Sequence, residues 1–197
     1  MEMNERQALS VIEEMITKAK EDIKDNGFYF LFWGWLVFCA AAINYYLLVF
    51  TSFNVHGLPW IILMPLGGIV TVIAGLRERK KIPVVQTYIS YMMKYMVWAF
   101  SISLIVVCFS MPAGQQWKAF YPTIMVVYAI WLFVSGGLLK FKPLVCGGIL
   151  NWVLAAIGFI FPSTETHLLL IAAAVFGGYI IPGYLLKQRY HKHVQGA

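Results

Sequence analysis

The side chains that could do chemistry in this 197-residue chain are few, and inside its apolar runs they are almost all neutral. Asn44 and Asn151 stand within apolar runs of membrane-spanning length, and none of these runs contains an aspartate or a glutamate. Ionisable groups in the middle of a membrane usually mark transport, proton transfer or catalysis. Their absence disfavours a proton-coupled transporter, a voltage sensor and an intramembrane protease.

The two amides need hydrogen-bond partners if their runs lie in lipid. A bond from such an amide to a neighbouring helix is worth about 0.6–2 kcal/mol. We expect Asn44 and Asn151 to join helices in this way, and ligand binding is the alternative role.

A stripe of aromatic residues follows one helical face of the third apolar run. The stripe contains Tyr88, Tyr91, Tyr95 and Trp98 at steps of three, four and three, and Lys94 lies beside it. An aromatic packing face with a lysine reaching the membrane surface is the simpler interpretation. The alternative is a pocket in which Lys94 meets an anionic substrate or headgroup. The candidate pocket residues are therefore Asn44, Tyr91, Lys94, Tyr95, Trp98 and Asn151.

Metal and thiol chemistry have weak candidates only. His56, Glu165 and His167 could meet beyond one membrane face, but residues of solvated loops are the default interpretation. The three cysteines all fall in apolar runs and are expected to be small core residues rather than disulfides. The sequence predicts no cofactor, metal site or catalytic residue, which disfavours an enzyme.

The elements that must position these side chains are membrane-spanning helices. The chain is 60% hydrophobic and only 12% charged, far from the balance of a soluble domain. A spanning helix takes roughly 20 residues. We predict an all-α, polytopic fold with six spans at about 28–50, 58–76, 88–111, 120–139, 144–161 and 167–186, forming a bundle over residues 28–187.

Lysine and arginine lie almost wholly on one side of this predicted bundle. They cluster before the first span, after every second span and in a basic tail at residues 188–197, whereas the opposite loops hold only Lys118. The positive-inside rule then places both termini in the cytoplasm of a multi-pass protein. The net charge of +6 is thus an orientation signal, not an indication of nucleic acid binding. The densest cluster is also a candidate site for anionic lipid: Arg77, Arg79, Lys80 and Lys81.

Residues 1–26 precede the first span, and residues 4–26 have the pattern of one amphipathic helix. Its apolar stripe repeats at alternating steps of three and four, the spacing of a coiled-coil seam: Leu9, Ile12, Ile16, Ala19 and Ile23. Its polar face is mixed and net acidic, unlike that of a helix adsorbed on anionic lipid. The stripe is expected to pack on its own bundle, or on a protein partner or second copy.

Glycine pairs and prolines interrupt several spans. Gly67-Gly68 in the second span and Gly147-Gly148 in the fifth begin similar five-residue stretches, which an inverted repeat of two three-helix halves would explain. Three successive hairpins are the alternative. Pro65 and Pro182 are expected to be kinks, with a transporter-like broken helix as the alternative.

The stretch from Ile12 to Phe38, with Asp25-Asn26-Gly27 and the aromatic run 30–38, resembles a group of small bacterial inner-membrane proteins. In that group a short charged helix precedes an aromatic-rich first span. The resemblance implies the bacterial inner membrane as the location and supplies no site residues. The size and span number are also similar to those of substrate-binding subunits of energy-coupling-factor vitamin transporters. Those subunits have a small-residue docking motif, which the stretch Ala40-Ala41-Ala42 of this chain loosely resembles.

Two functions follow as hypotheses. The first is a membrane protein that acts through protein association, with the N-terminal helix as its contact. The alternative is a small-molecule transporter, or its substrate-binding subunit, with a pocket between the helices.

Overall fold

The computed structural model describes residues 27–51, 57–81, 88–113 and 117–195, and these form helices joined by short connections. The helices are α1 (Phe28–Phe50), α2 (Leu58–Lys81), α3 (Tyr88–Ala113), α4 (Trp117–Leu138), α5 (Lys142–Ile160), α6 (Thr164–Val175) and α7 (Ile181–Gln195). A single π-helical turn, Phe176–Ile180, joins α6 to α7 without a break, so that they form one span.

Among the described residues, six helical spans are long and apolar enough to cross a membrane, as the sequence predicts. Helices are the expected solution because lipid offers no partner for backbone N–H and C=O groups, which a helix satisfies internally. The described part of the chain is therefore all-helical, and its six apolar spans fit a multi-pass membrane protein. The predicted amphipathic helix at residues 4–26 lies outside the described residues, and α7 continues through most of the predicted basic tail.

The core of the bundle is formed by four spans. Helices α4 and α5 pack along much of their length, and α6 packs against α1, α4 and α5. Side chains from all four spans meet in one hydrophobic cluster, with Met125 and Leu132 of α4 and Ile171 of α6 fully buried. This core holds both candidate asparagines.

The other two spans are peripheral. Helix α2 packs mainly on α1 and helix α3 mainly on α4, and each leaves at least half of its described side chains exposed. A side-chain hydrogen bond links α2 to α1, because Trp33 of α1 donates from Nε1 to the Thr71 hydroxyl at 3.1 Å. The cysteines are also exposed, so the prediction that they are core residues is wrong.

The bundle has two distinct ends. At the first, Gly27 leads into α1 with a left-handed φ of 68° and lies directly against the Gly183 carbonyl of α7. This end also carries Arg77, Lys140 and Arg189, and we call it the basic end. The opposite end carries Lys118 and Glu165.

Helix packing resembles three hairpins more than two equivalent halves. The pairs α1–α2, α3–α4 and α5–α6 all pack together, whereas α2 and α3 form no extensive contact within their described residues. An inverted repeat would make the α2–α3 and α5–α6 pairs equivalent. The similar glycines also differ, because Gly67 packs on the Trp33 and Leu36 side chains and Gly147 packs on backbone.

Candidate functional site

The strongest candidate for a functional site is Asn151, a fully buried amide at the crossing of α5 and the sixth span. Its Nδ2 donates to the Gly147 carbonyl one turn earlier at 2.9 Å and to the Ala174 carbonyl of α6 at 3.1 Å. The second bond is the predicted link between helices. It fixes α5 to the last turn of α6, immediately before the π-turn.

The π-turn explains why backbone groups are available here. It contains one more residue than an α-turn, and the Ile181 N–H bonds to the Phe176 carbonyl five residues back. Pro182 then follows without an N–H, so it cannot bond to the Gly178 carbonyl four residues earlier. Neighbouring helices must satisfy or cover such groups in a membrane. Thus Pro182 is part of a larger irregularity than the predicted kink.

One atom of Asn151 has no partner. Its Oδ1 is buried and accepts no hydrogen bond within the described part of the chain. An unsatisfied buried acceptor costs about 1–3 kcal/mol, and π-turns are frequent at functional sites. The buried Tyr128 and Tyr179 rings also meet edge-on at 5.6 Å, and neither hydroxyl bonds to another described residue. The Asn151 Oδ1 atom is thus a buried acceptor that a hydrogen-bond donor of a small ligand can use.

A second polar cluster lies toward the end of the bundle opposite to the basic end. The buried Asn44 donates from Nδ2 to the Tyr121 hydroxyl of α4 at 3.4 Å, and the Tyr121 ring lies 6.0 Å from Trp60 of α2. The Tyr121 ring also lies 6.1 Å from His167 of α6. The cluster therefore joins α1, α2, α4 and α6, which is the linking role expected of Asn44.

His167 is buried, with 1% of its surface exposed, so the prediction of a solvated loop residue is wrong. Its Nε2 lies 2.8 Å from the Gly158 carbonyl and must carry the proton there, because a carbonyl only accepts. Gly158 is in the last turn of α5, where carbonyls have no donor within the helix. His167 thus caps α5. No group of three metal-ligating side chains occurs among the described residues, and His56 lies outside them.

We predict that this cap matters for stability. His167→Ala should lower the stability of the bundle by about 2–3 kcal/mol, because it opens a cavity and leaves the Gly158 carbonyl without a donor. His167→Phe keeps an aromatic ring at this position and removes only the hydrogen bond, so it should cost about 1 kcal/mol. Thermal unfolding in one detergent measures both, with the exposed Glu165→Ala as the control. Equal stability of His167→Ala and the control would contradict the capping role.

The aromatic stripe of α3 does not join the asparagines. Tyr91, Lys94, Tyr95 and Trp98 are all exposed, and Trp98 has 68% of its surface uncovered. The Tyr91 and Tyr95 hydroxyls lie 3.0 Å apart and bond to each other. Four of the six candidate pocket residues therefore lie on the outer surface of α3, and Asn44 and Asn151 are buried in separate clusters.

A groove of about 110 Å³ runs between α3 and α4. Met96, Phe100 and Ser103 line one side, and Val127, Ile130 and Trp131 line the other. The Ser103 hydroxyl is already bonded to the Ala99 carbonyl at 2.7 Å. The lining is almost wholly apolar and would suit an acyl chain better than a polar substrate.

Sequence reasoning missed the π-turn, the capping role of His167 and the contact between Tyr128 and Tyr179. The Gly177-Gly178 pair before Pro182 was the available signal for the π-turn. Among the basic residues proposed to bind lipid, Arg77 is exposed at the end of α2, and the side chains of Arg79, Lys80 and Lys81 lie outside the described residues. No family model, curated protein or solved structure matches the chain.

Proposed function

We propose that this multi-pass protein acts through protein association, in the inner membrane of a bacterial cell with both termini in the cytoplasm. Helix 4–26 is its contact, either with a protein partner or with a second copy. The observation that carries the proposal is the apolar stripe Leu9, Ile12, Ile16, Ala19 and Ile23. A helix of three heptads is marginal alone and needs a surface to pack against.

A further feature favours a protein surface over lipid. Acidic side chains outnumber basic ones on the polar face of residues 4–26, which opposes adsorption on an anionic membrane. We also propose that the partner engages the basic end of the bundle, because Gly27, the residue that follows this segment, is buried against α7 there.

The lateral surface offers room for association within the membrane as well. Helices α2 and α3 are peripheral and largely exposed, and Gly68 and Gly75 of α2 have no side-chain or neighbouring backbone atom within 4 Å of an added methyl group. Small residues let helices approach closely in lipid, where no hydrophobic force drives their packing. These open positions are compatible with a second helix beside α2.

The test is deletion of residues 1–24, which leaves Gly27 and the bundle intact. We expect the full chain to purify with a partner or as an oligomer, and the truncated chain to lose that partner or dissociate. The matched variants are Ile16→Glu on the apolar stripe, expected to behave like the deletion, and Lys18→Glu on the polar face, expected to behave like the full chain. Unchanged partners and oligomeric state in the deletion would remove the support for the proposal.

A second candidate function is that of a small-molecule transporter or its substrate-binding subunit. The observation that favours it is the Asn151 Oδ1 atom beside the π-turn, which has no partner within the described part of the chain. A ligand that binds the folded protein must stabilise it. A thermal-shift screen with vitamins, amino acids and lipids should give a hit. A screen without a hit counts against this function.

A further inference from the structure

The loop between α4 and α5 contains a lysine where glycine is the usual residue. Lys140 has a left-handed φ of 49° at the end of α4. Its N–H bonds to the Gly137 carbonyl at 3.2 Å, and the Phe141 N–H bonds to the Gly136 carbonyl at 2.8 Å. This is the Schellman ending of a helix, whose left-handed position favours glycine because a Cβ atom is strained there.

Arg189 of α7 is held against the same loop. Its guanidinium lies 5.8 Å from the centre of the Phe141 ring, and Nη1 lies 3.5 Å from the Lys140 carbonyl oxygen. Phe141 is itself buried, so it provides a fixed platform for the guanidinium. The guanidinium has five N–H donors and this contact uses one, which leaves the others for a further acceptor.

The positive charges at this corner have no negative partner in the described part of the chain. Lys140 and Lys142 are exposed, and neither they nor Arg189 form an ion pair there. Glu165 lies at the opposite end. Three basic residues thus belong to one corner of the basic end: Lys140 and Lys142 flank the loop where α4 ends and α5 begins, and Arg189 of α7 is held against that loop.

We propose that Lys140, Lys142 and Arg189 bind the phosphate group of an anionic phospholipid. Arg189 supplies directed N–H donors and the two lysines supply point charges, the combination that recognises a phosphate. A site at the end of two spanning helices meets lipid headgroups directly. The strain at position 140 is retained because glycine would remove one of the charges. This site is distinct from the cluster at the end of α2 and does not depend on residues 1–26.

The substitution Lys140→Gly separates a binding role from a structural one, because the two predict opposite changes. Glycine relieves the backbone strain, so the variant in neutral detergent should melt about 2–4 °C higher than the natural chain. Loss of one lysine should weaken binding of phosphatidylglycerol about fivefold. The stabilisation gained when phosphatidylglycerol replaces phosphatidylcholine in nanodiscs should therefore shrink. Lys140→Asn, which also tolerates a left-handed φ, should lose the same stabilisation.

Three controls decide the proposal. Lys118→Gln, at the opposite end, should keep the full effect of phosphatidylglycerol. A lower melting temperature of Lys140→Gly in lipid-free detergent would overturn the proposal, because it would mean that the Lys140 side chain stabilises the protein through a contact within the chain. An undiminished phosphatidylglycerol effect in both position-140 variants would also overturn it. If inorganic phosphate stabilises the protein as strongly as the lipid does, the assignment to a lipid is wrong.

Discussion

Replacing Gly147 by alanine is expected to destabilise the bundle strongly, although it adds only one methyl group. The new Cβ would lie 2.8 Å from the Gly178 Cα atom and 2.9 Å from the Gly178 carbonyl oxygen. Both are backbone atoms of the sixth span and cannot rotate away, so α5 and the π-turn must separate. We expect a loss of about 3 kcal/mol, at the upper end of the range for overpacked cores.

The matched control for Gly147→Ala is Gly68→Ala, which also alters one member of a glycine pair inside a span. A methyl group at Gly68 meets no atom within 4 Å, so this variant should stay within about 0.5 kcal/mol of the natural chain. Thermal unfolding of the three proteins in the same detergent measures the difference. Similar melting temperatures for Gly147→Ala and Gly68→Ala would show that the backbones of α5 and the π-turn are not in direct contact at Gly147.

Replacing Asn151 by aspartate is the second large expected effect. The side chain keeps its shape, but the Nδ2 donor is replaced by an oxygen atom. This oxygen would face the carbonyl oxygens of Gly147 and Ala174, so that three acceptors and no donor meet in a fully buried place. A buried charge without a partner costs several kcal/mol. We therefore expect a loss of about 3–5 kcal/mol at neutral pH, seen as a lower melting temperature or a lower yield of folded protein.

The same substitution at the other buried asparagine is its control. Asn44→Asp faces the Tyr121 hydroxyl, which can rotate and donate to a carboxylate. Asn44→Asp should therefore cost about 1–2 kcal/mol, clearly less than Asn151→Asp. Equal losses at the two positions would contradict the assignment of Asn151 as a donor to two carbonyls.

The spans were predictable from sequence because an apolar run of about 20 residues in lipid has one stable solution. The linking role of Asn151 was predictable for a related reason, since an amide in an apolar run must find a partner. Its partner was not predictable. The Ala174 carbonyl lies beside a π-turn that packs closely on α5 at Gly147 and Gly178, residues far apart in sequence.

The exposure of side chains was harder to predict, because lipid and protein interiors are similarly apolar. The aromatic stripe of α3 has the spacing of a packing face, yet Tyr95 and Trp98 are among its exposed residues. His167 shows the opposite case: a histidine at the end of a span faces water or the bundle according to the rotation of the helix. That rotation is set by packing against neighbours, which the sequence of one helix does not contain.

The central claim is that the apolar stripe of residues 4–26 contacts another polypeptide. The most direct measurement places a photo-crosslinking amino acid at Ile16 on the stripe, and at Lys18 on the polar face, in the full chain in its native membrane. We predict one discrete adduct from position 16, identified by mass spectrometry as a second copy or a single partner, and none from position 18. Adducts only within the same chain or with lipid, or the same adducts from both positions, would contradict the claim.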